Sequence, residues 1–155
     1  MSKFYHYTTQ EHLKEIQESG VIKTTESNVT TDGTGGPDVV WLFNEGLTKV
    51  PKMMYSPLYE EGELGPVPVG IWVPKCEIEL IVDLDRSEIS RADKFMKKHN
   101  AEPRWLKTLE MSGGYKFTNQ YVIEREIKLE EIVATAVRAD LMKPVSIDKW
   151  KNWSN

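Results

Sequence analysis

The residues able to do chemistry fall in three short blocks. The first is Tyr5-His6-Tyr7-Thr8. A ring nitrogen and a hydroxyl within one turn of chain suit a ribose hydroxyl and a carboxamide. Taken alone, a histidine beside an aromatic strand is more often a satisfied, partly buried side chain. His12 and His99 fall on or near helical stretches and give no metal-ligand spacing with His6. The second block is Val39-Val40-Trp41-Leu42-Phe43, where Trp41 is either core or an aromatic platform. The third is Asn119-Gln120-Tyr121-Val122-Ile123, with Glu124 and Glu126 beyond it. In an extended chain Gln120, Val122, Glu124 and Glu126 share a face, but Glu124 would lie roughly 13 Å from Gln120. The competing reading of Glu124 is a solvated strand end or a surface ion pair with Arg125 or a lysine.

Recognisable elements position these blocks. Lys3 to Tyr7 reads as a first strand, and Thr8-Thr9-Gln10-Glu11 places a capping hydroxyl three residues before a carboxylate. Leu13, Ile16 and Gln17, with Val21 beyond, give a helical stripe that Gly20 terminates. Val21 to Thr25 can be extended, and the glycines between Asn28 and Asp38 mark a mobile loop without the Gly-Lys-Ser/Thr of a P-loop. Val39 to Phe43 is continuously apolar, as in a central strand buried on both faces. Prolines and glycines predict mainly loop over Pro51 to Pro68, with room for one helical turn, and a strand resuming at Val69 to Val73. Ile78 to Leu84 reads as a strand and Ser87 to Asn100 as an amphipathic helix. Trp105 to Met111 is short helix or extended segment, stopped by Ser112-Gly113-Gly114. Tyr121 to Ile127 and Ile132 to Arg138 read as the last two strands, and Trp150 and Trp153 either pack back or stay partly exposed.

Composition narrows the class. The 155 residues fit a single domain, 1–155, that folding can bury to roughly 70% of its unfolded surface. A net charge of -4 without a long basic run disfavours nonspecific nucleic-acid binding. Cys76 is the only cysteine, which rules out an internal disulfide and reads as structural; a reducing compartment, the cytoplasm, is the expected address. The Glu60-Glu61-Gly62-Glu63 run lacks convergent geometry and is assigned to solvent, so no metal is expected. No apolar stretch approaches the roughly 20 residues of a membrane span, and no membrane partner is expected.

Together the blocks resemble the three motifs of ADP-ribosyltransferases of the histidine class, which include poly(ADP-ribose) polymerases and DNA-modifying DarT-like toxins. Tyr5-His6-Tyr7-Thr8, followed by a helix ending at Gly20-Val21-Ile22, looks like the first motif, in which the histidine holds the NAD ribose and a following hydroxyl helps seat the nicotinamide. Val39 to Phe43 is similar to the second, with Trp41 where the family usually has tyrosine. Asn119 to Ile127 looks like the third, but Gln120 stands at the position of the catalytic glutamate. The absence of arginine before Arg86 agrees with the histidine class rather than the arginine class of the same fold.

The resemblance implies an α+β fold with a central mixed or antiparallel split sheet flanked by a few helices. It implies NAD as substrate, contacted by His6, Tyr7, Thr8, Trp41 and Phe43, with His6, Gln120 and Glu124 as the candidate catalytic set. The acceptor, protein or nucleic acid, is left open. Two alternatives remain: a catalytically impaired NAD-, nucleotide- or protein-binding module of the same fold, and an RNA 2'-phosphotransferase relative. The second of these predicts a basic block near His6 or Trp41 that the sequence lacks.

Overall fold

The computed structural model describes residues 1–151, with side chains through 149. The elements run β1 (Ser2–Thr8), α1 (Gln10–Ser19), β2 (Val21–Ile22), β3 (Val40–Phe43), β4 (Tyr55–Gly62), β5 (Gly65–Pro74) and β6 (Ile78–Leu84). They continue with β7 (Ile89–Arg91), α2 (Ala92–Lys98), α3 (Pro103–Gly113), β8 (Gln120–Ile123), β9 (Ile127–Lys128), β10 (Ile132–Val137), β11 (Val145–Ser146) and α4 (Ile147–Lys151). A six-stranded sheet has the order β10-β6-β1-β3-β8-β7, a second sheet the order β11-β5-β4, and β2 pairs β9. The strand pairings among the described residues are antiparallel, which gives an α+β fold of antiparallel sheets with a few helices. No helix among the described residues is long and apolar enough to cross a membrane.

Alternation along the central strands sends side chains into separate cores. Leu42, Leu80, Val82 and Ile123 join Phe4 and α1's Ile16 in one cluster, while Val39 and Val122 join Phe95, Met96 and Phe117 in another. A third cluster forms where Tyr7 and Phe43 meet Leu47, Tyr55 and Leu141. Cys76 is fully buried there, and burial pushes its thiol up to about 11, in keeping with a structural role.

Several expectations need correction. The helix cap is Thr9, whose hydroxyl accepts from the His12 amide, rather than Thr8. Residues 51–68 are mostly sheet rather than loop: the one helical turn is the 3-10 turn at Lys52–Met54, and it leads into a β4–β5 hairpin closed at Gly62↔Gly65. Prolines 66 and 68 are compatible because, two residues apart, they point to one edge of β5, and β11 covers that strand only at Ile71 and Trp72. The helix expected over residues 87–100 is only Ala92–Lys98, because Ile89, Ser90 and Arg91 are drawn onto β8 as an edge strand. The strand expected over residues 121–127 breaks after Ile123. There Arg125 bonds Glu88 and both carboxylate oxygens of Glu131, and the chain turns so that β9 reaches β2. β10 is followed by β11, so it is not the last strand. The 28–38 loop is tied internally by Asp32, which accepts from Thr30 and from the Thr34 amide and hydroxyl. The Trp150 side chain and Trp153 lie outside the described residues.

Two substitutions test this account. Gly20 caps α1 at φ 82, where a side chain costs about 1–2 kcal/mol, so Gly20→Ala is expected to lose roughly that much in urea unfolding. Leu80 is fully buried between β1 and β10, so Leu80→Ala should cost about 2–5 kcal/mol in the same assay.

Candidate functional site

The central sheet opens beside His6. β1 pairs β6 along its whole length, from Ser2↔Leu84 to Thr8↔Ile78, but pairs β3 only at Tyr5↔Phe43. Continued by two residues, the second ladder would bring Tyr7 opposite Trp41. Instead the His6 ring reaches across, with Nδ1 at 2.9 Å from the Trp41 carbonyl oxygen. A carbonyl only accepts, so Nδ1 carries the proton and the neutral ring offers Nε2 as an acceptor. Among the described residues no protein group pairs with Nε2. Burial lowers the His6 pKa below 6.5, against the opposing pull of the Trp41 carbonyl and with a smaller lowering from nearby His12.

A cavity of about 1050 Å³ lies at this opening, just above the roughly 300–1,000 Å³ of ligand pockets. His6, Tyr7, Trp41, Phe43 and Gln120 all line it. Trp41 stacks on Phe117 at 6.0 Å and 23°, and its indole nitrogen donates to the Glu26 carbonyl, which fixes the ring. Phe43 is held edge-on by Tyr7 and Tyr115. The Tyr7 hydroxyl is already committed: it donates to Glu79 at 2.5 Å and accepts from the Leu47 amide at 2.8 Å. Arg138 bonds the same Glu79 oxygen at 2.9 Å. Burial and the hydrogen bond to Glu79 raise the Tyr7 pKa well above its usual range, so it contributes its ring to the cavity while its hydroxyl holds the fold together.

Gln120 opens β8 directly after a 3-10 turn at Phe117–Asn119 and is only 3% exposed. Its Nε2 lies 3.9 Å from the Met53 sulfur, a weak acceptor, and it has no oxygen or nitrogen partner among the described residues. Its position on the cavity wall gives that amide a place to bond a ligand.

Two of the sequence-derived candidates are not part of this arrangement. Thr8 is buried, pairs Ile78 at the end of β1, and does not line the cavity. Glu124 is exposed beyond the last residue of β8 and is also off the lining. Arg125 pairs with Glu88 and Glu131 rather than Glu124. Sequence reasoning missed Met53, Tyr55 and Trp72, which line the cavity from the 3-10 turn and the β4–β5 hairpin. The signal was the Gly62-Glu63-Leu64-Gly65 turn, masked by the surrounding prolines. No group of acidic, histidine or cysteine side chains that could hold a metal occurs among the described residues.

No protein-family model matches the chain, and neither the curated proteins nor the solved structures give a match.

The lowered His6 pKa has a measurable sign. The unfolded chain binds more protons than the folded one as pH drops below 6.5, so the His6 contribution is full above 6.5 and declines as pH falls through that value toward the folded pKa. Denaturant unfolding between about pH 5 and 7 is expected to show this slope, and His6→Gln should flatten it. An unchanged slope in the variant would mean the ring is not the titrating group.

Proposed function

We propose that this protein is an NAD-dependent ADP-ribosyltransferase of the histidine class, cleaving NAD and passing ADP-ribose to an acceptor. The observation that carries the reading is the opening of the sheet at His6, with the Gln120 amide, held only by the weak Met53 sulfur contact, on the wall of the same cavity. The residues present fit the ligand: a dinucleotide needs a large cavity with apolar walls and a few polar anchors, and this one joins aromatic rings to a histidine acceptor and a buried amide.

In this reading the His6 Nε2 accepts from a ribose hydroxyl, and Trp41 and Phe43 supply aromatic walls for nicotinamide. The bond from ribose C1' to the nicotinamide nitrogen breaks with its electron pair leaving on nicotinamide, and the acceptor bonds C1' as it loses a proton. Positive charge builds on the ribose during that step. Gln120 can bond a ribose hydroxyl but brings no negative charge to offset it. Acceptor choice falls to the segments at the cavity's margin, which include Asn28, Asp38 and Lys52.

One alternative has specific support. Gln120 in place of a carboxylate, and the placement of Glu124 outside the cavity, favour a module that binds NAD with little or no turnover. An RNA 2'-phosphotransferase is less well supported, because Lys52 is the only lysine or arginine on the lining among the described residues.

Chromatographic nicotinamide release from NAD, with protein, DNA and RNA acceptors supplied in turn, separates these. His6→Ala is expected to abolish release, and Gln120→Glu to raise it by about a hundredfold, the scale of one added transition-state interaction. Calorimetric NAD binding without release in the wild type identifies the binding module. Neither binding nor release, in the wild type and in Gln120→Glu alike, would overturn the NAD reading.

A further inference from the structure

A second, smaller cavity of about 380 Å³ sits at the β7 edge of the central sheet, and its chemistry is opposite to the first. Its lining includes Arg86, Arg91, Lys94 and Lys98 and no carboxylate. This concentration of positive charge runs against a chain whose net charge is -4. Arg91 is held by Asp93 through two bonds, at 2.6 and 2.9 Å. Among the described residues Arg86, Lys94 and Lys98 pair with no carboxylate.

The placement of these cations is unfavourable for the fold on its own. Lys94 and Lys98 are four apart on α2, where like charges repel across one helix face. Lys94 also lies in the first turn, near the positive end of the helix macrodipole, where a cation is disfavoured. The Arg86 guanidinium lies 5.8 Å from the centroids of both Phe4 and Tyr121, cation–π contacts that leave its charge unneutralised. Ser90, Phe95 and Tyr121 also line this cavity.

We infer that this cavity binds a small-molecule phosphate monoester. A dianion there would bridge Arg86, Lys94 and Lys98 and relieve their mutual repulsion, and the guanidinium fork suits phosphate oxygens. A single compact anion fits the concave site, whereas a nucleic-acid strand would be opposed by the net negative charge of the chain and the lack of an extended basic stripe. The inference is independent of the NAD reading. Gln120 lines the first cavity and its neighbour Tyr121 the second, so adjacent residues of one strand serve different sites.

The test is an amide NMR titration of the full chain with potassium phosphate and with glycerol 3-phosphate, against potassium chloride at matched ionic strength. Saturable shifts confined to residues 86–98 and Tyr121, present with both phosphates and absent with chloride, are expected. Lys94→Gln/Lys98→Gln should weaken binding by about tenfold or more, the loss of at least one charge-assisted hydrogen bond. Both lysines are exposed, so the variant should melt at the wild-type temperature or higher, which separates lost binding from lost folding. Shifts that do not saturate, that chloride reproduces, or that persist at wild-type affinity in the double variant would overturn the proposal. So would tighter binding of an oligothymidylate strand than of glycerol 3-phosphate.

Discussion

The hydrogen bond from His6 Nδ1 to the Trp41 carbonyl is the interaction on which the site's geometry depends. A carbonyl at the edge of a central strand must be satisfied, normally by the next strand's amide. Here a side chain does it, so β3 can leave β1 after a single registered pair without stranding a buried acceptor. Both strands stay anchored on their far sides, β1 along β6 and β3 through four registered pairs with β8. The cavity is the space created when two well-anchored strands part. Tyr7, Glu79 and Arg138 also tie β1, β6 and the segment after β10 to the Leu47 backbone.

Much of the central sheet was legible because its residues obey local rules. The run Val39 to Phe43 is apolar throughout and is central; Ile78 to Leu84 is rich in β-branched residues and pairs on both edges; Gly20 ends α1 where the stripe of Leu13 and Ile16 runs out. Other elements were hidden by long-range effects. Ile89 has helical spacing to Ala92 and Met96 yet pairs Ile123, because the open edge of β8 offers ladder bonds that periodicity does not register. The hairpin was hidden by its prolines, which are tolerated where one edge of β5 is uncovered. At the site, the three blocks do converge on one cavity. The exclusion of Thr8 and Glu124 depends on where two strands end, which residue types do not determine.

Gln120 concentrates the tension between stability and binding. A carboxylate at this position, with so little exposure, would carry a desolvation cost of several kcal/mol unless paired. The amide lowers that cost and keeps the capacity to donate and accept. It gives up the charge that would stabilise an electron-poor ribose. Phe43, Tyr115 and Phe117 line the same cavity, so the amide faces a largely aromatic wall.

The alternation of β8 places Gln120 and Tyr121 on different cavities, so the strand acts as a selector whose setting is its register. Sliding β8 by one residue against β3 would exchange the two faces, presenting a phenol to the large cavity and an amide to the basic one. The 3-10 turn from Phe117 to Asn119, with the Phe117 amide bonded to Glu110, sets that register. An insertion or deletion of a single residue in this turn would therefore alter both cavities at once, while substitutions at either position could change one and leave the other intact. Length in this segment is a tighter constraint on descendants of this chain than identity.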